Sequence, residues 1–187
     1  WGKLANETQG MIRLDNLHST HPEFLALAMR KLHEAYPELI VLGELFASPE
    51  DQRRMILDHQ LHLLLSTPWD KDYVPDLRGQ VAYIHEVYPR MKFILPISSH
   101  DSGTPMQEFY DVRATLPRYA VSALLNCGAT GMCQGVEFGA PQKIEFIGFQ
   151  GKVHLEGAMN FEKEIKELNQ LMSDHSVLRQ GGNLSFI

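Results

Sequence analysis

The sequence has no apolar run approaching the roughly 20 residues needed to cross a bilayer, and its opening stretch, WGKLANETQG, carries no signal-peptide pattern. No membrane partner is expected. Cysteine is scarce: Cys127 and Cys133 are the only two, both in a Gly-rich apolar region. Buried thiols are therefore expected, not a disulfide framework. Charge of one sign is also in short supply. A net charge of -6 offers no electrostatic basis for binding nucleic acid or an anionic membrane surface. There is no low-complexity tract and no short repeat. An initiating Met is missing too, so the chain reads as a segment excised or processed from a longer protein. That leaves its compartment open, with the cytoplasm favoured.

What is present is an ordinary globular composition. The 187 residues are 44% hydrophobic and 21% charged, enough to bury a core. Short apolar runs alternate with helix-like stretches. The runs are 11–15 (MIRLD), 39–44 (LIVLGE), 61–65 (LHLLL), 92–99 (KFILPISS) and, weakened by its glycines, 129–135 (ATGMCQG). Helices are expected over 21–36, 48–59, 75–89, 117–127 and 161–175. The second has Ser48 as N-cap, Pro49 at its first position and acids in its first turn. Strands alternating with helices imply parallel βαβ units, hence an α/β fold.

The carboxylates fall where such a fold binds ligands. Asp15, Glu44 and Asp101 each stand at or just past the C-terminal end of an expected strand. A barrel of eight βα units in about 250 residues allots roughly 31 residues to each unit. Asp15 and Glu44 are 29 residues apart, one unit; Glu44 and Asp101 are 57 apart, two units. Five strands are visible where a barrel needs eight, and the missing three would take about 90 residues. The expected architecture is a partial (β/α)8 TIM barrel, strands 4 to 8 with their helices. The first three βα units and a C-terminal β-domain would lie outside residues 1–187.

Three carboxylates around one mouth suit glycoside cleavage. One carboxyl group protonates the leaving oxygen; in the retaining mechanism a second attacks the anomeric carbon, about 5–5.5 Å away. Arg13 shares a strand face with Asp15 at i, i+2 and would hold it ionised for attack. Glu44, between LIVLG and LF, has an apolar setting that raises a carboxyl pKa and suits a general acid. Asp101, after His100 in SSHDSGTP, would stabilise positive charge in the transition state and orient hydroxyls.

The segments IRLDNLHS, VLGELF and SSHDSGTP resemble, in order and spacing, the second, third and fourth signature segments of the α-amylase family of glycoside hydrolases and glucanotransferases. ALLNCGATGMCQGVEFG resembles that family's eighth-strand region, and FEKEIKELNQLMSDHSVLRQGGNL its last barrel helix. The resemblance implies that Asp15 is the nucleophile with Arg13 as its partner, and that Glu44 is the general acid/base. It implies that Asp101 is the transition-state stabiliser and that His100 binds a hydroxyl. RLDNLHST and ELFASPED are most similar to the glucanotransferase half of glycogen debranching enzymes. That similarity implies an α-1,4-glucan or maltooligosaccharide substrate, no cofactor, and Asn16 and His18 beside the sugar. Transfer is implied, with hydrolysis close behind.

Two departures stand out. Met11 occupies a position where the family usually has Gly, and Leu17-His18-Ser19 replaces the Lys-His pair that follows the nucleophile in many amylases. The first signature segment is not in this chain, so part of the sugar pocket is expected to be missing and the isolated chain to be inactive. The contrasting expectation is a non-catalytic half-barrel that binds glucan or self-associates through exposed sheet edges. Elsewhere, His18 and His21 stand at i, i+3 as metal ligands would, but without a third ligand at sensible spacing no metal is expected. His59 and His62 read as surface or partly buried residues near a helix end. Trp69, Tyr73 and Tyr83 read as sugar platforms or packing, and Glu137 as part of a structural turn.

Overall fold

Strand and helix bounds follow local chemistry closely. The computed structural model describes residues 1–145, 147, 157, 159–181 and 184–187. Its chain divides into two units, residues 1–66 with 90–92, and residues 67–89 with 93–187.

The first unit begins with a short helix, α1 (Gly2–Glu7), followed by β1 (Met11–Leu14), α2 (Pro22–Ala35), β2 (Ile40–Gly43), α3 (Pro49–His59) and β3 (Leu63–Leu65). β1 pairs in parallel with β2, and β2 in parallel with β3. Pro22 and Pro49 open their helices, where a missing N–H is harmless. Ser48 caps α3 by accepting the Asp51 amide at 3.2 Å, and Gln60 ends the helix in the left-handed region. The inward faces of these elements supply Leu25, Met29, Val41, Ile56 and Leu64 to a buried core.

The second unit carries α4 (Val74–Val87), β4 (Phe93–Pro96), α5 (Pro105–Phe109), α6 (Thr115–Leu124), β5 (Ala129–Gly131) and α7 (Glu162–Asp174). β4 and β5 are parallel, with Leu95 opposite Thr130. Ile97, Tyr119, Ala123 and Val136 form a buried cluster against which Ile165, Leu168 and Met172 of α7 pack. This burial, not propensity alone, fixes α7 in place. The glycine before β5 has a steric cause: a Cβ on Gly128 would lie 2.0 Å from the Phe93 carbonyl oxygen.

The expected α/β alternation is therefore present, with five parallel strands and the five expected helices at the expected places. Two short helices, α1 and α5, were not anticipated. β4 stops at Pro96, short of the expected 99, because the chain turns into a loop of serine hydrogen bonds. β5 is three residues long, as its glycines suggest. Cys127 and Cys133 are free thiols whose pKa burial pushes up; a hydrogen bond with Ser98 partly offsets this at Cys133. The end of the run 161–184 that resembles a barrel exit includes residues 182–183, which lie outside the described residues. No helix among the described residues is long and apolar enough to cross a membrane.

Candidate active site

The register of β1 against β2 delivers two acids to one edge. Leu14 is opposite Gly43, so Asp15 and Glu44 leave the strands side by side. The ladder runs on past the strand ends: the Glu44 amide donates to the Leu14 carbonyl and the Leu17 amide to the Glu44 carbonyl, both at 2.9 Å. A Cβ at Gly43 would crowd the buried Leu17 side chain, lying 2.7 Å from its Cδ1.

Arg13 binds both acids at once. Its Nη1 is 2.8 Å from Asp15 Oδ1 and its Nη2 is 2.5 Å from Glu44 Oε1. The acids differ sharply in exposure: the Asp15 side chain is 70% exposed and that of Glu44 only 8%. The other Glu44 oxygen accepts the Asn16 amide at 3.0 Å. Asn16 adopts the left-handed conformation, φ 52° and ψ 46°, which an Asx residue tolerates and which turns its amide onto the carboxylate. Glu44 is thus buried as expected, but its setting is not simply apolar. A buried carboxylate needs partners, and β1 supplies the cation while the turn after it supplies the amide. Arg13 pairs with Asp15 as the strand spacing suggests, and it also reaches Glu44.

His18 follows in a short 3-10 turn, and its ring centroid lies 5.6 Å from that of Phe46, tilted by 40°. Phe46 is 46% exposed two residues after Glu44. Phe46 is not among the candidates drawn from the sequence; an aromatic residue two positions after the acid in GELF is the signal that points to it.

In the second unit, His100 and Asp101 lie in the loop after β4. They pair with each other, Nε2 to Oδ2 at 2.9 Å, with both side chains more than half exposed. The Ser99 hydroxyl accepts the amides of Asp101 and Ser102, both at 3.1 Å, and the Ser102 hydroxyl accepts the Ser99 amide at 2.8 Å. The loop is thus braced by its own serines and then capped into α5 by Thr104 and Gln107.

The remaining candidates are placed as follows. Glu137 accepts the Gly135 amide at 2.7 Å within a tight turn, the structural role expected of it. Tyr83 packs on Phe93, ring centroids 6.0 Å apart, while Tyr73 is exposed and Trp69 partly buried. His62 Nδ1 accepts the Val41 amide at 3.1 Å, with the His33 ring 6.1 Å away. Burial foremost, then the His33 and Lys92 charges, hold the His62 pKa below its usual value. Among the described residues, no group of three His, Cys, Asp or Glu is arranged to hold a metal ion.

Chemically, the first unit presents a buried and an exposed carboxyl on neighbouring strands, joined through one guanidinium. Such a pair can divide proton donation from nucleophilic attack, because the two environments differ.

No protein-family model matches the sequence, and no curated protein matches it. Solved structures do match in fold. An α-amylase from H. orenii superposes with a TM-score of 0.71 at 12% identity, over 100% of this chain and 48% of its own. The Nostoc punctiforme debranching enzyme, soaked with acarbose, gives 0.63 at 16% identity, over 95% of this chain and 44% of its own. An α-amylase from Geobacillus thermoleovorans, in complex with acarbose, gives 0.66 at 16%, over 97% and 44%. At these identities the likeness is one of fold. The chain has the α/β fold of part of the TIM-barrel α-amylases, and it spans just under half the length of these enzymes.

Proposed function

We propose that this chain is the later part of the catalytic barrel of an α-glucan-active enzyme that works by retaining double displacement. The observation that carries the reading is the Arg13 bridge between Asp15 and Glu44 at the ends of adjacent parallel strands. One guanidinium spanning both carboxylates sets them a few ångströms apart, compatible with the roughly 5–5.5 Å of retaining enzymes.

Glu44 protonates the glycosidic oxygen as the bond to the anomeric carbon breaks. Asp15 attacks that carbon and forms a covalent glycosyl-enzyme. Glu44, now ionised, takes a proton from the hydroxyl of an acceptor sugar, which displaces Asp15 and receives the glucan. With water as acceptor the same cycle is hydrolysis. Asp101 stabilises the oxocarbenium-like charge, His100 and Asn16 bind hydroxyls, and the His18–Phe46 pair offers a ring face to the sugar. A debranching enzyme among the similar structures, and acarbose or maltose bound in several, support an α-glucan substrate.

The test is maltooligosaccharide disproportionation by the full-length protein. Glu44→Gln should lose about 10²–10⁴-fold in rate, and Asp15→Asn should fall to background. An Asp15→Asn variant as active as the parent would sink the assignment.

A second reading, a self-associating or glucan-binding module, is favoured by an apolar groove of about 780 Å³ along β1 between α1 and α2, lined by Trp1, Leu4, Met11 and Phe24 among others. Glucan binding without turnover by the full-length protein would support it.

A further inference from the structure

The loop that carries Asp101 is tied to a distant part of the chain. Lys143 Nζ donates to the Asp101 carbonyl at 3.0 Å, across 42 residues of sequence. The Lys143 amide donates to Gln107 Oε1 at 2.7 Å, and that same oxygen accepts the Thr104 amide at 3.2 Å. Gln107 therefore docks the Lys143 backbone at the head of α5, and from there the ammonium reaches back to the loop. Glu108 holds the loop from the other side, accepting the Gly103 amide at 2.6 Å. Both peptide groups of Asp101 are consequently held from outside the residue: its N–H by Ser99 and its C=O by Lys143.

We infer that Lys143 is a positioning residue for Asp101, its ammonium fixing the peptide that aims the Asp101 carboxylate. The inference rests on the proposed role of Asp101 and deepens it. Asp101 is more than half exposed and, among the described residues, its side chain pairs only with the equally exposed His100 in the same loop. The aim of such a carboxylate is set by its backbone, and a charged donor on the carbonyl is a stronger tether than the neutral serine bonds beside it. Lys143 itself touches no substrate in this scheme.

The experiment compares Lys143→Met, Lys143→Arg and Asp101→Asn in the full-length protein, by maltooligosaccharide disproportionation and by amide hydrogen exchange. Lys143→Met keeps the aliphatic stem and removes the donor. It should lower kcat about ten- to a hundredfold, the scale of an ångström-sized misplacement of a reacting group, and leave KM nearly unchanged. Lys143→Arg should restore most of kcat. In Lys143→Met the amides of Asp101, Ser102 and Gly103 should exchange faster, while that of Gly135, bonded to Glu137, should not. Faster exchange throughout the unit would mark Lys143 as merely structural and overturn the inference. An inactive Asp101→Asn beside a fully active Lys143→Met would overturn it as well. A fully active Asp101→Asn would refute the catalytic reading of Asp101 instead. Unchanged loop exchange in Lys143→Met would then refute the tether on its own.

Discussion

Removing Arg13 tests the geometry of the candidate site without any assumption about substrate. Arg13→Met keeps the length and apolar bulk of the stem and deletes the cation. The two ion pairs it breaks are unequal. The Asp15 arm is 70% exposed, and an exposed pair is worth only about 0–1 kcal/mol. The Glu44 arm ends on a carboxyl 8% exposed, and stripping the partner from a buried charge costs about 3–5 kcal/mol. Two features reduce that figure. Arg13 is itself 34% exposed, so water reaches the pair, and Glu44 keeps the Asn16 amide at 3.0 Å. An overall loss of about 2–3 kcal/mol is expected, or about 5–10 °C in Tm for a chain of this size.

The decisive arm is the double variant. In Arg13→Met/Glu44→Gln no buried charge is left, and the Gln carbonyl still accepts the Asn16 amide. Most of the lost stability should return, giving a coupling of about 1–3 kcal/mol between positions 13 and 44. Arg13→Met/Asp15→Asn should recover almost nothing. Urea unfolding followed by circular dichroism reads the parent, the single variants Arg13→Met, Glu44→Gln and Asp15→Asn, and the two double variants. If Arg13→Met is within about 0.5 kcal/mol of the parent, or if the Asp15 double variant recovers as much as the Glu44 one, the assignment of Arg13 as the cation of a buried Glu44 is wrong.

His62 and the β1 groove give two further expected outcomes. His62 is held below its usual pKa mainly by burial and accepts the Val41 amide only while its Nδ1 is unprotonated. The unfolded chain then binds the proton more readily, so this contribution is complete above about pH 6.5 and is lost as pH falls through 6.5 toward the lower folded value. The loss of unfolding free energy between pH 7.5 and 5.5 should be smaller in His62→Asn than in the parent; identical pH slopes would refute this. The exposed Met11 and Phe24 of the β1 groove should drive self-association, and Phe24→Glu should weaken it in sedimentation runs. A parent protein that stays monomeric at high concentration would count against that surface.

Elements were legible where their signals are local. Ser48-Pro49 with two acids marks the start of α3 by capping and dipole chemistry that four residues contain, and the structure starts the helix at Pro49. The alternation of short apolar runs with amphipathic stretches was enough for the parallel α/β order. The short helices were not legible, because α1 and α5 hold six and five residues and have too little periodicity to read. The site was half legible. That Asp15, Glu44 and Asp101 stand at strand ends followed from pattern. That Arg13 reaches Glu44, 31 residues away, depends on the register of β1 against β2, which no local window encodes. The Lys143 tether is more distant still, and nothing near 143 in the sequence points to residue 101.

The shared guanidinium changes how the acid and the nucleophile of the proposed mechanism are told apart. Sequence alone suggested two separate environments, a cation for Asp15 and an apolar wall for Glu44. In the structure one cation lies between two acceptors, the Arg13 guanidinium bonding both Asp15 and Glu44. In the proposed mechanism, glycosylation starts from a protonated acid beside an ionised nucleophile, and the Arg13 fork holds the two carboxyl groups in place for it. The two acids differ in their access to water: the Asp15 side chain is 70% exposed and that of Glu44 8%. The consequence is testable in one variant. Arg13→Lys supplies a single point charge that cannot hold two carboxylates in a fixed fork. It should keep more of the stability than Arg13→Met while losing turnover on maltooligosaccharides, whereas a merely structural Arg13 would recover stability and turnover together.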